Sequence, residues 1–231
     1  MAVLTVQNIK YDYISKAGIV HALKHASADF DEGILYAIVG RSGSGKSTFM
    51  SLLAGLDIPK SGTIFYKGID LASIDRDRYR REHVGMIFQS YYLLPQLTAL
   101  ENVELSLELS GCKKDKKHRA QIMLSMMGLS VSQYKKRSTE FSGGEQQRIA
   151  IARAIAPNPE IVLADEPTGN LDNQTSEKIV KILSDMAHRY GKCVILITHA
   201  TEVAAQADII LRMNDGYLES QQEMSNQKHE G

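Results

Sequence analysis

Short apolar runs alternate with stretches of helical period along most of the 231 residues. That alternation predicts an α/β protein with a mainly parallel sheet. The runs YAIVG (36–40), VGMIFQ (84–89), EIVLADE (160–166) and KCVILITH (192–199) read as buried strands. KSTFMSLLAGL (46–56) reads as a helix with Gly55 as its stop. Residues 174–191 place Ile179, Ile182, Leu183 and Met186 on one helical face, with Gly191 at the C-terminal end. Residues 2–13 and 61–70 alternate with period two, as exposed antiparallel strands do. Residues 98–135 break the pattern: they are helical and rich in Met and Leu, and read as an insertion in the α/β core. The basic run KKDKK (113–117) reads as a solvated helix face, and the chain from Ser220 as a polar tail.

Composition narrows the picture by exclusion. Apolar residues make up 43 %, enough for a sizeable core, while 27 basic residues balance 27 acidic ones. No net field draws the chain to nucleic acid or to a membrane surface. The two cysteines, Cys112 and Cys193, have neither metal-ligand spacing nor a disulfide framework. The first residues lack the basic and apolar regions of a leader, and no run approaches the ~18 apolar residues of a membrane span. The expectation is a cytosolic chain; work at a membrane would require another chain to supply the span.

The chemistry begins at GRSGSGKST, which matches G-x-x-x-x-G-K-[ST] over Gly40–Thr48. It follows a strand and opens a helix, as a phosphate cradle requires. Gly43 and Gly45 let the loop curl so that backbone N–H groups point at phosphates, backed by the helix N-terminus. Lys46 brings a mobile point charge, and Ser47 a hydroxyl for Mg²⁺ with Thr48 behind it. At the end of another strand, Asp165 is suited to hold Mg²⁺ through its water shell and Glu166 to polarise water attacking a γ-phosphate. Gln89 and His199 are unremarkable alone. Together, Gly40, Gln89, Asp165 and His199 end four separate apolar runs, and in a parallel sheet those ends lie along one edge.

A second feature sits apart. EFSGGEQQR (140–148) contains S-x-x-E, a capping box of Ser142 and Glu145 that opens a helix. Its first two helical residues are glycines, each costing roughly 1 kcal/mol relative to alanine. Bare backbone at this position calls for a close-approaching partner.

These motifs, in this order, resemble those of the ATP-binding cassette (ABC) ATPases over residues 5–218. The resemblance implies a P-loop, RecA-like α/β core with an N-terminal antiparallel part and an inserted helical subdomain. One domain would span 1–231: a nucleotide-binding core over 1–90 and 146–219, a helical subdomain over 91–145, and the tail over 220–231. It implies the cofactors ATP and Mg²⁺, with Gly40, Arg41, Ser42, Gly43, Ser44, Gly45, Lys46, Ser47 and Thr48 around the phosphates. Ser47, Gln89 and Asp165 would serve the metal. Glu166, His199, Gln89 and Lys46 would be catalytic, His199 as the switch histidine. Tyr13 would stack on adenine, with Tyr11 as rival. FSGGE resembles the family signature, so Ser142, Gly143, Gly144 and Glu145 would meet ATP held by a second copy of the chain, with Asp172 crossing the subunit boundary. Phe141 and Glu145 depart from the usual Leu and Gln. Glu145 either turns back onto the Ser142 N–H or weakens closure; the capping box favours the first.

ADEPTGNLD (164–172) with YYLLPQLTALENV (91–103) is similar to the MacB/LolD/FtsE-type branch. That implies a homodimer driving a separate membrane permease from the inner face of the membrane, in export or mechanotransmission of antimicrobial-peptide, macrolide, lipoprotein or haem type. An exposed apolar patch at Tyr91, Tyr92 and Leu94 would be the permease socket. The alternative is an FtsE-like regulatory ATPase acting on an extracytoplasmic domain or cell-wall hydrolase. A translation or repair ATPase would need two cassettes or a coiled-coil insertion. A P-loop kinase would have no use for SGGE.

Overall fold

The computed structural model describes residues 2–15 and 18–220. A long hairpin opens the chain: β1 (Ala2–Ser15) and β2 (Gly18–Asp31), antiparallel. Then follow β3 (Leu35–Val39), α1 (Lys46–Leu53), β4 (Ser61–Tyr66), β5 (Ile69–Asp70), α2 (Arg76–Glu82) and β6 (Val84–Phe88). The helical insertion supplies α3 (Ala99–Leu109) and α4 (Lys116–Met126) before α5 (Gly143–Ile155). The chain ends with β7 (Ile161–Asp165), α6 (Asn173–His188), β8 (Cys193–Ile197), α7 (Thr201–Ala204), β9 (Ile209–Asn214) and β10 (Tyr217–Ser220). The strands form one ten-stranded mixed sheet, ordered β5-β4-β1-β2-β10-β9-β3-β8-β7-β6. From β9 to β6 every pairing is parallel; the β1, β2, β4 and β5 lobe is antiparallel.

The parallel half is buried on both faces, which is why its strands read as unbroken apolar runs. On β7, Ile161 and Leu163 face a core shared with α1 and the antiparallel lobe, while Val162 and Ala164 face the core of α3–α6. On β8, Cys193, Ile195 and Ile197 alternate with Val194 and Leu196 in the same way. The expected faces of α6 hold: Ile179, Leu183 and Met186 are buried, Val180 and Ala187 join them, and Ile182 sits at the edge.

Some expectations need correction. The strands at 2–13 and 61–70 are not exposed on both faces, since Val3, Leu4, Val6, Ile9 and Ile64 pack into the core beside α1. The pattern assigned no element to 18–31, which is β2. Its buried residues are Leu23, Ala26 and Phe30, at helical spacing, because register shifts along the hairpin break the period of two. The basic run is not a helix face: Lys113 and Lys114 lie in the loop before α4, and only Lys116 and Lys117 enter its first turn. Ser220 belongs to β10, pairing with Leu211, so the tail starts no earlier than 221, and residues 221–231 lie outside the described residues. Among the described residues no helix is long and apolar enough to cross a membrane.

Candidate nucleotide site

The parallel register sets the site. β3, β8, β7 and β6 run side by side, with Val39, Ile197, Asp165 and Phe88 at their C-terminal ends. Residues 40, 199, 166 and 89 follow on one edge, where open α/β sheets hold ligands.

Gly45 is the pivot of the cradle. It caps α1 with φ 108°, a left-handed conformation closed to other residues without strain, and a Cβ there would stand 2.4 Å from the Ala22 carbonyl. No side chain caps α1, so the first N–H groups of the helix are left for a ligand. Lys46 is buried, and its Nζ donates to the carbonyls of Gly40 (2.8 Å) and Arg41 (2.9 Å). This cation therefore rests on neutral acceptors that an anion would outcompete. A cleft of about 400 Å³ opens in front, lined by Tyr13, Ser42, Gly43, Lys46, Ser47, Thr48, Glu166 and His199, among others. Arg41 contributes its carbonyl, not its side chain, and the Ser44 hydroxyl is buried without a hydrogen-bond partner.

Tyr13 and Tyr11 part company here. Tyr13 is half exposed at the cleft, its hydroxyl 3.2 Å from that of Thr48. Tyr11 is buried and donates to Asp57, and that hydrogen bond, followed by burial and the Asp57 charge, lifts the phenol to about 12.

The acid pair is divided by its surroundings. Burial raises the Asp165 carboxyl above its ordinary range, a hydrogen bond from Ser47 opposes the rise, and the Glu166 charge adds to it. Glu166 stands just past the strand with φ 46°, its N–H bonded to Ile197, and its Oε2 lies 2.7 Å from His199 Nδ1. Asp165 and Ser47 offer hard oxygen donors already in contact, a set that suits Mg²⁺. Among the described residues no cluster of three or more His, Cys, Asp or Glu could hold a metal unaided. Mg²⁺ commonly takes one or two carboxylates plus substrate phosphates, so this sparse set fits it. Gln89 points elsewhere: its Nε2 donates to Asn170 (3.3 Å) and lies against Gly169.

The residues 142–145 do not line this cleft. Ser142 caps α5 and closes the expected box: its N–H and hydroxyl both donate to Glu145 Oε2 at 2.9 Å, while Gln133 Nε2 donates to Oε1 at 2.8 Å. The Ser142 N–H leads in holding the Glu145 carboxyl below its usual range. The glycines also have a reason inside the chain. A Cβ at Gly143 would stand 2.9 Å from the Tyr91 hydroxyl, and one at Gly144 2.7 Å from Thr175 Cγ2. Asp172 is exposed and caps α6, accepting from the Thr175 N–H (2.9 Å) and hydroxyl (2.7 Å).

Sequence reasoning missed two residues that shape the site. Buried Asn102 holds the loop at Leu94, accepting from its N–H at 2.9 Å and donating to its carbonyl at 3.2 Å. Arg153 donates to the carbonyls of Tyr91 and Tyr92. Neither carries a local signal. Tyr91, expected to be exposed, is instead half buried, while Tyr92 and Leu94 are exposed.

The strand–cradle–helix unit and the acidic strand end define a P-loop nucleotide-binding protein. The ABC transporter family profile matches residues 23–169, and the chain belongs to that family as an ATP-binding subunit. It is 41 % identical over 217 residues to the uncharacterized ABC transporter ATP-binding protein YclH of Bacillus subtilis, covering 94 % of this chain and 95 % of that one. It is also 41 % identical over 222 residues to the macrolide export ATP-binding/permease protein MacB of Bradyrhizobium diazoefficiens, but spans only 34 % of that protein. Among solved structures, the dimeric, post-hydrolysis form of the cassette MJ0796, bound to ADP and Pi, superposes with TM-score 0.85 at 36 % identity. That match covers 94 % of this chain and 98 % of the other, and a relative of the same name comes from Methanocaldococcus jannaschii.

Proposed function

We propose that the chain works as a homodimer that binds two ATP molecules, each between the cradle of one copy and the α5 N-terminus of the other, and hydrolyses them to drive a separate membrane permease. One observation carries this reading. The chain has two anion-ready helix starts, at Lys46 and at Gly143, and 142–145 do not line the cleft at the first. A second copy brings the missing half, as the dimeric MJ0796 structures suggest by analogy.

In this reading Tyr13 stacks on the base, and the loop 40–48 wraps the phosphates. Lys46 leaves the carbonyls of Gly40 and Arg41 for phosphate oxygens. Ser47 and Asp165 would hold Mg²⁺, with Gln89 turning in from Asn170 on closure. When bound, Mg²⁺ neutralises charge on the phosphates. Glu166 orients the attacking water and accepts its proton as the P–O bond to the leaving ADP breaks. His199, in contact with Glu166, steadies that carboxylate and meets the γ-phosphate. Ser142, Gly143 and Gly144 offer hydroxyl and N–H donors to the γ-phosphate of the partner's ATP. Asp172 lies beside that seam. A permease on another chain is supported by the YclH relative, which is named for ATP binding alone and matches this chain nearly end to end. Export or mechanotransmission follows from the MacB likeness, and placement at the inner face of the membrane follows from the permease.

The test uses the full chain with Glu166→Gln, which should bind ATP with Mg²⁺ and sediment as a dimer. Adding Ser142→Arg should leave one ATP bound per chain but yield monomers. Loss of ATP binding with the fold intact, or an unchanged dimer, would overturn the shared site.

A further inference from the structure

The backbone between Gln89 and α3 is held in an unusual shape. Tyr91 and Tyr92 stand consecutively at φ 51° and 48°, a left-handed region that aromatic residues avoid. Local bonding contributes, since the Tyr92 N–H donates to the Ser90 carbonyl and the Tyr91 N–H reaches the Phe88 carbonyl at 3.4 Å, but these bonds stay within the turn and tie it to no other element. The tie to the rest of the molecule comes from α5. Arg153, in its last turn, donates from Nη2 to the Tyr91 carbonyl at 2.7 Å and from Nη1 to the Tyr92 carbonyl. A planar fork with fixed donors suits two adjacent carbonyls in a way that a lysine does not. Burial pulls the Arg153 pKa down, and no carboxylate pairs with it among the described residues. The guanidinium is only partly buried, and two of its donors are committed to neutral carbonyls of one segment. The first turn of α5 grips the same segment, because the Tyr91 hydroxyl occupies the space beside Gly143 where a Cβ would clash. The ring of Tyr92 packs edge-on against Phe88, with centroids 5.1 Å apart.

We propose that Arg153 is a positioning residue for hydrolysis: by locking Tyr91 and Tyr92 in the left-handed conformation, it makes the segment carrying Gln89 and the helix opened by Ser142 one rigid body. Both elements then move in step, Gln89 toward this copy's ATP and Ser142 toward the partner's, although Arg153 itself touches neither nucleotide. The proposal rests on the ATP reading of the cleft and adds to it a link that the motifs do not contain.

The experiment compares the full chain with its Arg153→Met variant. MgADP affinity, which reads the cradle alone, should stay within about twofold. The kcat for ATP should fall at least tenfold, with KM within threefold. Amide exchange should accelerate at 91–94 and stay unchanged in α1 and α5. Glycine accepts positive φ without strain, so Tyr92→Gly in the Arg153→Met background should recover at least a third of the lost kcat. If Arg153→Met does not fold, Arg153→Lys, with one compact donor group for two carbonyls, should show a smaller kcat loss of the same kind. A kcat within twofold of the parent, exchange that rises across α1 and α5 as well, or no recovery with Tyr92→Gly would overturn the proposal. Should the parent bind no nucleotide, the ATP reading fails instead, and the exchange measurements still judge the clamp.

Discussion

The chain opens two helices with glycine beside a site of proposed phosphate contact, and it finishes them in opposite ways. At α1 the cap is Gly45 itself, with no side chain bonded to the helix N–H groups and Lys46 folded back on the loop carbonyls. At α5 the cap is Ser142, and Glu145 closes the box with three donors on its carboxylate. The cradle is left open and electrostatically unsettled. The α5 start is internally satisfied except for its first N–H groups, those of Gly143 and Gly144, which have no acceptor within the helix. Under the proposed function the contrast is a division of labour: α1 captures an anion unaided, whereas α5 keeps its shape until an anion is brought to it. Their acids differ in sign as well, Asp165 being raised by burial and Glu145 lowered by hydrogen bonds.

The largest effect expected falls on the cradle side. Glu166→Gln removes the group proposed to take the proton, and kcat should drop about 10³-fold, roughly 4 kcal/mol, with ATP still bound. Steady-state turnover beside equilibrium binding checks it, and normal turnover would remove Glu166 from its role. Next comes Lys46→Ala. A charge-assisted contact to phosphate is lost, and ATP affinity should fall about 100-fold, near 2.7 kcal/mol. Calorimetry that finds a Kd within threefold of the parent would show that the N–H groups of the loop carry the anion alone.

The cradle side was also the more legible in sequence, for a physical reason. Its strands are buried on both faces, so they appear as unbroken apolar runs whose ends mark the ligand edge, and the Lys46 loop reads locally. The α5 cap was legible too, since Ser142 and Glu145 are three residues apart. The environment of that cap was not. Tyr91 against Gly143 and Thr175 against Gly144 are contacts between distant segments, and Arg153 reads as any basic residue in a last helical turn. The left-handed Tyr91 and Tyr92 carry no glycine to announce them. β2 was hidden because its bulged register spaces Leu23, Ala26 and Phe30 like a helix. Likewise Tyr11 and Tyr13 share a strand, and only the fold sends one to Asp57 and the other to the cleft.

The contrast in sign yields a smaller effect. Burial makes the folded chain hold the Asp165 proton more tightly than the unfolded chain does. The associated stability is present below the ordinary carboxylate pKa and lost as pH rises through the raised folded value. Asp165→Asn should therefore raise the Tm of the metal-free, nucleotide-free chain by a few degrees at pH 7, and the gain should vanish below about pH 4. Melting curves across that range decide it; a Tm that falls at neutral pH would mean that the Ser47 bond outweighs burial.

The smallest effect belongs to α5, and it tests whether the charge at Glu145 matters to closure. Because the carboxyl is lowered by its hydrogen bonds, its stabilisation is present above the ordinary Glu pKa and lost as pH falls through the folded value. Glu145→Gln keeps an oxygen that can accept from the Ser142 N–H but sets an amide NH₂ against other donors. The Tm at pH 7 should drop by about a degree, with the difference shrinking at acid pH. As Glu145 is bent back onto Ser142 and Gln133, its charge is already matched to local donors. Turnover should then change by less than about threefold, under roughly 0.7 kcal/mol. A gain beyond about tenfold, roughly 1.4 kcal/mol, would mean that the carboxylate repels the partner's ATP, and that the capped start of α5 resists closure instead of waiting for it.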